Sequence, residues 1–359
     1  MNNILEVLKI LNDKGYEAYL VGGYPRDLYM NKTTIDYDGT TNATPKEIKE
    51  IFKSNVSSDN YGCVNVYYKN NRFEITTYRK DIKYNDSRKP IEIEYINDLK
   101  EDLMRRDFII NTICIDSKGN YIDYLNGRLD IDNKIIKVVG NTSKKLQEDP
   151  LRILRAVRFA TTLDFKLSKE LILGIKKYGD LVKNLSYERK KQELDKIFSS
   201  SNIEYGLSLI RDLNLEKPLE INTYNIKKTT YLVRIWAQIN NSKYPFNKTK
   251  KDTIKNVNEL INKDILDEYN LYKYGLYISL IAAEIKGIDI DLINEKYNNL
   301  IIKDRSDIAI TPEEICKVLK EEPGSILKII INDLEYNLLK NKVQNEKNII
   351  VKYLEETYL

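Results

Sequence analysis

Apolar positions change their spacing along the chain. The first helical stretch has one apolar face, formed by Ile4, Leu5, Leu8 and Leu11. Gly15 is placed to end that helix. Residues 19–21 are typical of a short buried strand, and residues 91–95 alternate as a half-exposed strand does. From about residue 141 onward, strand signals fade and helical periodicity dominates. The pattern therefore predicts an α+β protein, with a mixed sheet-and-helix head followed by an all-α remainder.

Turn and capping signals add detail to the head. Residues 64–68 and 72–78 are β-rich runs joined by three polar residues, which predicts a hairpin. Residues 44–47 (Thr-Pro-Lys-Glu) form a capping box with proline at the first helical position, so a helix is expected through Phe52. Residues 80–89 are polar, charged and without periodicity, which is typical of a mobile loop.

A glycine pair ends the predicted strand at residues 19–21. Because Gly22 and Gly23 carry no side chains, their backbone N–H groups can approach a phosphate. Pro25 fits the first turn of a following helix, where its missing N–H costs nothing. Arg26 lies near the same turn and can add positive charge to the same anion site. The stretch therefore predicts a phosphate-binding turn.

Two acidic residues follow this turn. Asp36 and Asp38 lie two positions apart in a segment expected to be extended, so both carboxylates project from one face. They repel each other unless a cation lies between them, and Mg²⁺ held with substrate phosphates is the usual solution. Alone, a glycine pair is usually a turn and Asp-x-Asp is usually a solvated strand edge. A glycine turn followed by a short helix and then by this pair of aspartates favours nucleotide chemistry, with Asp36 and Asp38 as catalytic metal ligands.

Composition narrows the possible functions. The chain of 359 residues allows about two to four domains, and a net charge of +4 permits RNA binding through a local basic surface. Histidine is absent, which excludes imidazole metal sites and histidine general bases. The three cysteines lack metal-ligand spacing and indicate reduced thiols. With no signal-peptide pattern and no apolar run near ~20 residues, we expect a cytoplasmic protein without membrane partners or a zinc site.

Further motifs follow the glycine turn and the aspartates in a fixed order. They are residues 74–79 (Glu-Ile-Thr-Thr-Tyr-Arg), 105–108 (Arg-Arg-Asp-Phe), 148–152 (Glu-Asp-Pro-Leu-Arg) and 188–189 (Glu-Arg). The series resembles the class II tRNA nucleotidyltransferases, or CCA-adding enzymes, and the related bacterial poly(A) polymerases. Residues 307–310 and 345–347 are similar to the tail of the bacterial CCA-adding enzymes. The resemblance covers nearly the whole chain and is densest over residues 16–195.

The resemblance implies a fold and an activity. The head, residues 1–138, would be a nucleotidyltransferase domain with a polymerase-β-like mixed sheet. A neck for base recognition (139–200), a helical body (201–300) and a helical, tRNA-binding tail (301–359) would follow. The implied enzyme adds C, C and A to the tRNA 3′ end from CTP and ATP, without a nucleic-acid template and with Mg²⁺ as cofactor. Its implied partners are tRNA, ATP and CTP.

The resemblance also assigns residues in the head. It places Glu74 near the metals as a third catalytic carboxylate, although an exposed strand glutamate explains the sequence equally well. It assigns Arg106 to the triphosphate and Asp107 to the ribose hydroxyls. A surface charge cluster is the alternative for these two. Gly39 stands where the family usually has an apolar residue, so we expect a looser metal strand and a slower rate.

The neck motif concerns base selection. Asp149 beside Arg152 offers one acceptor and a fork of donors, which matches the pairing edges of cytosine and adenine but not those of uracil and guanine. The resemblance implies such a protein template, whereas helix capping alone also explains Asp149. Arg155 and Arg158 continue the helix predicted at 151–160 as phosphate contacts or salt-bridge partners. The helix that begins at residues 188–189 is expected to brace it.

Several functions remain open at this point. A poly(A) polymerase, or a specialist that adds only CC or only A, belongs to the same superfamily. Full CCA-adding enzymes have a flexible loop where residues 80–89 stand, which favours terminal A addition. A non-catalytic RNA-binding protein with this fold is disfavoured, because it gains nothing from the unpaired carboxylates of Asp36 and Asp38 beside an RNA terminus.

Overall fold

A mixed six-stranded sheet forms the head. The computed structural model describes residues 2–34, 37–52, 62–85, 89–224, 226–227, 229 and 231–359. In chain order the strands are β1 (Ala18–Val21), β2 (Asp38–Thr41), β3 (Cys63–Tyr68), β4 (Asn71–Thr77), β5 (Arg79–Asn85), β6 (Lys89–Tyr95), β7 (Cys114–Ile115), β8 (Tyr121–Ile122), β9 (Ile135–Ile136) and β10 (Lys166–Leu167). The sheet order is β3-β4-β2-β1-β7-β8, with β2 and β4 parallel and the other neighbours antiparallel.

Helices also occur in the head, and they dominate the described residues from 141 onward, as the periodicity predicts. They are α1 (Asn2–Asp13), α2 (Gly23–Tyr29), α3 (Pro45–Phe52), α4 (Leu99–Met104), α5 (Gly127–Asp132), α6 (Thr142–Glu148), α7 (Leu151–Leu163), α8 (Lys169–Tyr178), α9 (Tyr187–Phe198), α10 (Ile203–Asp212), α11 (Glu216–Leu219), α12 (Leu232–Ile239), α13 (Lys248–Ile261), α14 (Glu268–Lys286), α15 (Ile290–Asn298), α16 (Pro312–Leu319), α17 (Ser325–Leu339) and α18 (Lys347–Tyr358). The short strand β10, parallel to β9, is an element that the periodicity did not predict.

Local sequence explains the predicted elements of the head. The helix α1 buries Ile4, Leu8 and Leu11 against the sheet, and the chain turns at Gly15 with φ of 91°. At the start of α3, Glu47 Oε2 accepts from the Thr44 N–H at 2.7 Å, and Thr44 Oγ1 accepts from the Glu47 N–H at 3.4 Å. The predicted capping box is therefore present.

The predicted hairpin also forms, as β3 and β4. Lys69 and Asn70 connect the strands with φ of 46° and 63°. Two consecutive left-handed residues match the right-handed twist of the flanking strands. The turn thus holds two residues rather than the three expected from the pattern.

The prediction of a loop at residues 80–89 is wrong for those of these residues that the structure describes. Residues 79–85 and 89–95 form the antiparallel pair β5 and β6, which is a two-stranded sheet of its own; residues 86–88 lie outside the described part. Residues 91–95 of β6 have the alternation typical of a strand, whereas the polar and charged residues 80–85 of β5 do not, although backbone hydrogen bonds pair the two strands.

Two compact units divide the chain, Met1–Thr223 and Tyr224–Leu359. Within the second unit, α13 to α18 share one apolar core that includes Val257, Leu271 and Leu334. The helix α14 is interrupted at Gly275, where φ is 74° and ψ is 164°. Across the described residues, none of the helices has the length and apolar character required to cross a membrane. The four-domain division made from the sequence stays a prediction.

Candidate active site

The glycine turn lies between a carboxylate and a guanidinium. The strand β1 ends at Val21, and Gly22 then takes φ of 85° and ψ of −132° to start α2. A Cβ on Gly22 would lie 3.4 Å from Asp38 Oδ2, and one on Gly23 would lie 3.6 Å from Arg26 Nη2. The two glycines of the turn therefore lie at van der Waals distance from both charged groups, and the positive φ of Gly22 favours glycine there.

Asp38 and Glu74 occupy paired positions on neighbouring strands. Asp38 opens β2 opposite Val21 of β1, and the parallel register of β2 with β4 sets it beside Glu74. Residues paired in register project from the same face of a sheet, so the two carboxylates are neighbours. Asp36 lies outside the described residues.

The surroundings of Glu74 include a thiol. The pKa of Cys63 is raised to about 12 by burial and by its hydrogen bond with Glu74. Cys63 is therefore a neutral thiol that donates to the carboxylate. Within the part of the chain that is described, we find no group of three or more cysteine, aspartate or glutamate residues arranged to hold a metal ion.

Arg26 is buried and bound on several sides. Its Nε donates to Asp27 Oδ1 at 2.8 Å, and its Nη1 donates to Asn111 Oδ1 at 2.6 Å. Only 7% of the residue is exposed. The neighbouring carboxylate and amide thus fix the guanidinium beside Gly23.

Asp107 continues this network into the neck. Its Oδ1 accepts from Asn111 Nδ2 at 3.1 Å and from the Phe108 N–H at 2.8 Å. Its Oδ2 accepts from Arg155 Nε at 2.8 Å and lies 2.5 Å from Arg155 Nη2. Burial opposes ionisation, but Arg155 and these hydrogen bonds hold the pKa of Asp107 at about 2. A continuous polar chain therefore joins Arg26, Asn111, Asp107 and Arg155.

Arg105 and Arg106 share one buried carboxylate. Arg105 Nε donates to Asp102 Oδ1 at 2.8 Å, and Arg106 Nη2 donates to Asp102 Oδ2 at 3.2 Å. The same carboxylate accepts from Thr40 Oγ1 in β2 at 3.3 Å. Burial opposes ionisation of Asp102, yet the two arginines lower its pKa. Asp102 thereby ties the arginine pair to the strand that carries Asp38.

The neck motif lies at the junction of α6 and α7. Asp149 Oδ1 accepts from the Leu151 N–H at 3.0 Å, and burial raises the pKa of this carboxyl. The N-cap predicted for Asp149 is one position off, because Pro150 is the N-cap residue of α7. Arg152 is buried, and its Nη1 donates to the Lys145 carbonyl at 2.9 Å. Asp149 and Arg152 lie at the first turn of one helix.

Arg158 and Phe159 complete the inner side of α7. Arg158 Nε lies 2.6 Å from Glu193 Oε2 in α9, which packs along α7 as the sequence led us to expect. The Phe159 ring lies under the guanidinium of Arg158, at 3.9 Å from Cζ to the ring centroid. Both Arg155 and Arg158 therefore form the salt bridges that were one of their two sequence-based interpretations.

Sequence reasoning missed four residues of this region: Asp102, Asn111, Phe159 and Glu193. Asp102 could have been found, because it stands three and four positions before the arginine pair, the spacing of charge partners on a helix. Asn111 contacts Arg26 across 85 positions of sequence. No local pattern predicts such a contact.

Family models match three parts of the chain. Residues 18–137 match the poly(A) polymerase head domain. Residues 164–222 match the "Probable RNA and SrmB- binding site of polymerase A". Residues 232–354 match tRNA nucleotidyltransferase domain 2.

Curated relatives match over the full length. The CCA-adding enzyme of Staphylococcus haemolyticus is 31% identical, covering 99% of this chain and 98% of the relative. That of Listeria innocua is 33% identical, covering 98% of this chain and 97% of the relative. The chain belongs to the CCA-adding enzyme family. Membership confirms the resemblance and the predicted enzyme class, a nucleotidyltransferase.

Solved CCA-adding enzymes share the fold. The Bacillus stearothermophilus enzyme in complex with CTP has a TM-score of 0.81 at 24% identity, covering 99% of this chain and 96% of that chain. The Thermotoga maritima enzyme complexed with tRNA has a TM-score of 0.69 at 17% identity, covering 99% of this chain and 94% of that chain. The predicted fold class, a nucleotidyltransferase head with a largely helical remainder, is confirmed.

Proposed function

We propose that this protein completes the 3′ end of tRNA by adding C, C and A from CTP and ATP without a nucleic-acid template. The tRNA 3′-hydroxyl attacks the α-phosphate of each triphosphate, and pyrophosphate leaves. One observation carries the proposal: Asp38 and Arg26 lie against consecutive glycines of one turn, in a chain 31% and 33% identical over nearly its whole length to two CCA-adding enzymes. Free cysteines at positions 63, 114 and 316 suit a cytoplasmic location.

The carboxylates of the head suit Mg²⁺. Asp38 and Glu74 supply hard oxygen donors from adjacent positions of parallel strands, and Asp36 would add a third. Asp38 and Glu74 fit the ion, and we assign Asp36 and Asp38 as its ligands. When bound, Mg²⁺ neutralises charge on the triphosphate and lowers the pKa of the attacking hydroxyl.

The rest of the head positions the triphosphate. The backbone N–H groups of Gly22 and Gly23 are assigned to its phosphate oxygens, with Arg26 beside them. Arg106 adds a second guanidinium, held by Asp102. Because these donors are fixed by buried partners before substrate arrives, little rearrangement is needed when charge develops in the transition state.

The neck is assigned to base selection. Asp149 Oδ2 can accept from the amino group of cytosine or adenine while Oδ1 holds the Leu151 N–H. Arg152 would donate to the ring nitrogen beside that amino group. Uracil and guanine present the reverse order of donor and acceptor at these positions. The pair therefore accepts CTP and ATP and rejects UTP and GTP.

A poly(A) polymerase is the second candidate, because the model that matches the head bears that name. The two activities separate in one assay with purified protein, tRNA ending before CCA, and each nucleotide alone or in combination. We expect two cytidines with CTP, then one terminal adenosine when ATP is added. Repeated adenosine addition to any RNA end would favour the polymerase, and products that end at CC would indicate a specialist.

A further inference from the structure

Three guanidinium groups converge on one aromatic ring. The Cζ atoms of Arg158, Arg26 and Arg155 lie 3.9, 5.2 and 5.7 Å from the centroid of Phe159. The phenylalanine is 6% exposed, and Phe108 meets it edge-on with ring centroids 5.5 Å apart. The ring belongs to the neck helix α7 and contacts Arg26 of the phosphate-turn helix α2.

Each arginine has its own counter-charge on a different part of the fold. Arg26 pairs with Asp27 of α2, Arg155 with Asp107 before β7, and Arg158 with Glu193 of α9. These carboxylates neutralise the arginines one by one, but none of them contacts all three. Phe159 is the group that the three have in common.

Ring electrostatics give this arrangement a physical role. The face of an aromatic ring is negative and attracts cations within about 6 Å, more strongly when the pair is desolvated. Like charges drawn to one ring would otherwise separate, since they repel each other at short range. The ring therefore holds three guanidinium groups close together next to Gly23, where Arg26 Nη2 already lies.

We propose that Phe159 is a positioning residue for the triphosphate: through cation–π contacts it holds Arg26, Arg155 and Arg158 together as one anion-binding cluster. The inference rests on the proposed function, which brings a nucleoside triphosphate to this turn. Loss of the ring electrostatics then weakens CTP and ATP binding alike. It leaves the affinity for tRNA unchanged.

Fluorinated phenylalanines test this without changing the shape of the core. One, two or three fluorines at position 159 progressively weaken cation binding by the ring. We expect the Kd of CTP and of ATP to rise stepwise, by roughly 5- to 10-fold at three fluorines, with KM following Kd and kcat nearly constant. The matched control is the same series at Phe165, which is buried in the same unit and, among the described residues, has no cation over its ring.

The possible outcomes separate the two proposals. A stepwise rise at position 159 with a flat series at 165 supports the positioning role. A flat series at both positions, an equal rise at both, or a fall in Tm with unchanged Kd overturns it. Direct binding of CTP and ATP needs no turnover, so the Kd series decides the role of Phe159 even if the protein adds no nucleotide to tRNA. A protein that binds CTP and ATP but adds no nucleotide to tRNA would refute the proposed function instead.

Discussion

Arg26 and Asp38 contact the glycine turn from two different elements. The backbone of Gly22, with φ of 85° and ψ of −132°, is one that residues with a side chain rarely adopt. Glycine is therefore favoured here by backbone conformation, while Asp38 lies at ordinary contact distance.

Gly22→Ala is expected to lower kcat/KM for CTP by at least roughly 10-fold, because alanine rarely adopts this positive φ and the resulting strain shifts the turn beside Asp38. Gly15→Ala is the matched control. It has a similar φ of 91°, but nothing lies within 4 Å of its Cβ position. Both substitutions should cost about 1 kcal/mol of stability, measured by urea unfolding, from backbone strain. Equal activity of the two variants would show that the backbone conformation of Gly22 is unimportant for the reaction.

The ion pair of Asp107 with Arg155 gives stability a pH dependence. Since the folded pKa of Asp107 is about 2 and its ordinary value is 3.8, its contribution is complete above about pH 4 and lost as pH falls through 2. Asp107→Asn should reduce the free energy of unfolding by about 2 kcal/mol at pH 6, with the difference from wild type vanishing near pH 2. Urea unfolding at several pH values measures it. A difference independent of pH would contradict this origin.

The sequence could predict site residues whose contacts are close to them in the chain. The glycine turn follows from the sequence alone, because consecutive residues determine it, whereas the pairing of Asp36 with Asp38 stays a prediction. The partners of Arg26 and Arg155 could not be predicted, since Asn111, Asp107 and Phe159 reach them through the folded chain. The sequence alone suits Arg155 and Arg158 equally to phosphate contacts and to salt bridges, and the folded structure pairs them with Asp107 and Glu193.

Strand β2 shows how one element compensates for an unusual residue. Gly39, where the family usually has an apolar side chain, is paired with Ile75, and a Cβ on Gly39 would collide with Ile75 Cδ1. The isoleucine thus fills the space that the glycine leaves. The sequence suggested a looser strand, whereas Gly39 is buried and closely packed.

Gly39→Ala should destabilise the protein by about 1–3 kcal/mol through overpacking, measured by urea unfolding. Ile75→Val removes the colliding atom, so the same Gly39→Ala change made in that background should cost about 1 kcal/mol less. Additive effects in this double-mutant cycle would mean that the isoleucine does not fill the space.

The polar sequence of residues 80–85 did not predict the strand β5 of the β5–β6 pair. The family resemblance connects this segment with the switch from C to A addition. Deleting residues 83–90 should stop products at CC on a sequencing gel while C addition continues, because the pocket can no longer be refitted for the larger base. Unchanged terminal A addition by the shortened protein would show that the hairpin is passive.

At the scale of the whole molecule, membership of the CCA-adding family extends over both compact units. The change from strands to helices near residue 141 could be predicted from the sequence, because apolar residues recur at different intervals in strands and in helices. The boundary between the two compact units, at residues 223 and 224, could not be predicted, since no run of glycine, proline or serine marks it. The boundaries at 138, 200 and 300 remain predictions.

The central claim is that the carboxylates beside the glycine turn catalyse CCA addition to tRNA. The most direct test is single-turnover addition of CTP, and then of ATP, to tRNA that ends before CCA, with wild type and Asp38→Asn. We predict that wild type completes CCA and ignores UTP and GTP. The variant should lose roughly 1000-fold in rate but bind tRNA normally, because the change removes one charge at constant size. A variant within a few-fold of wild type at saturating Mg²⁺ would contradict the account.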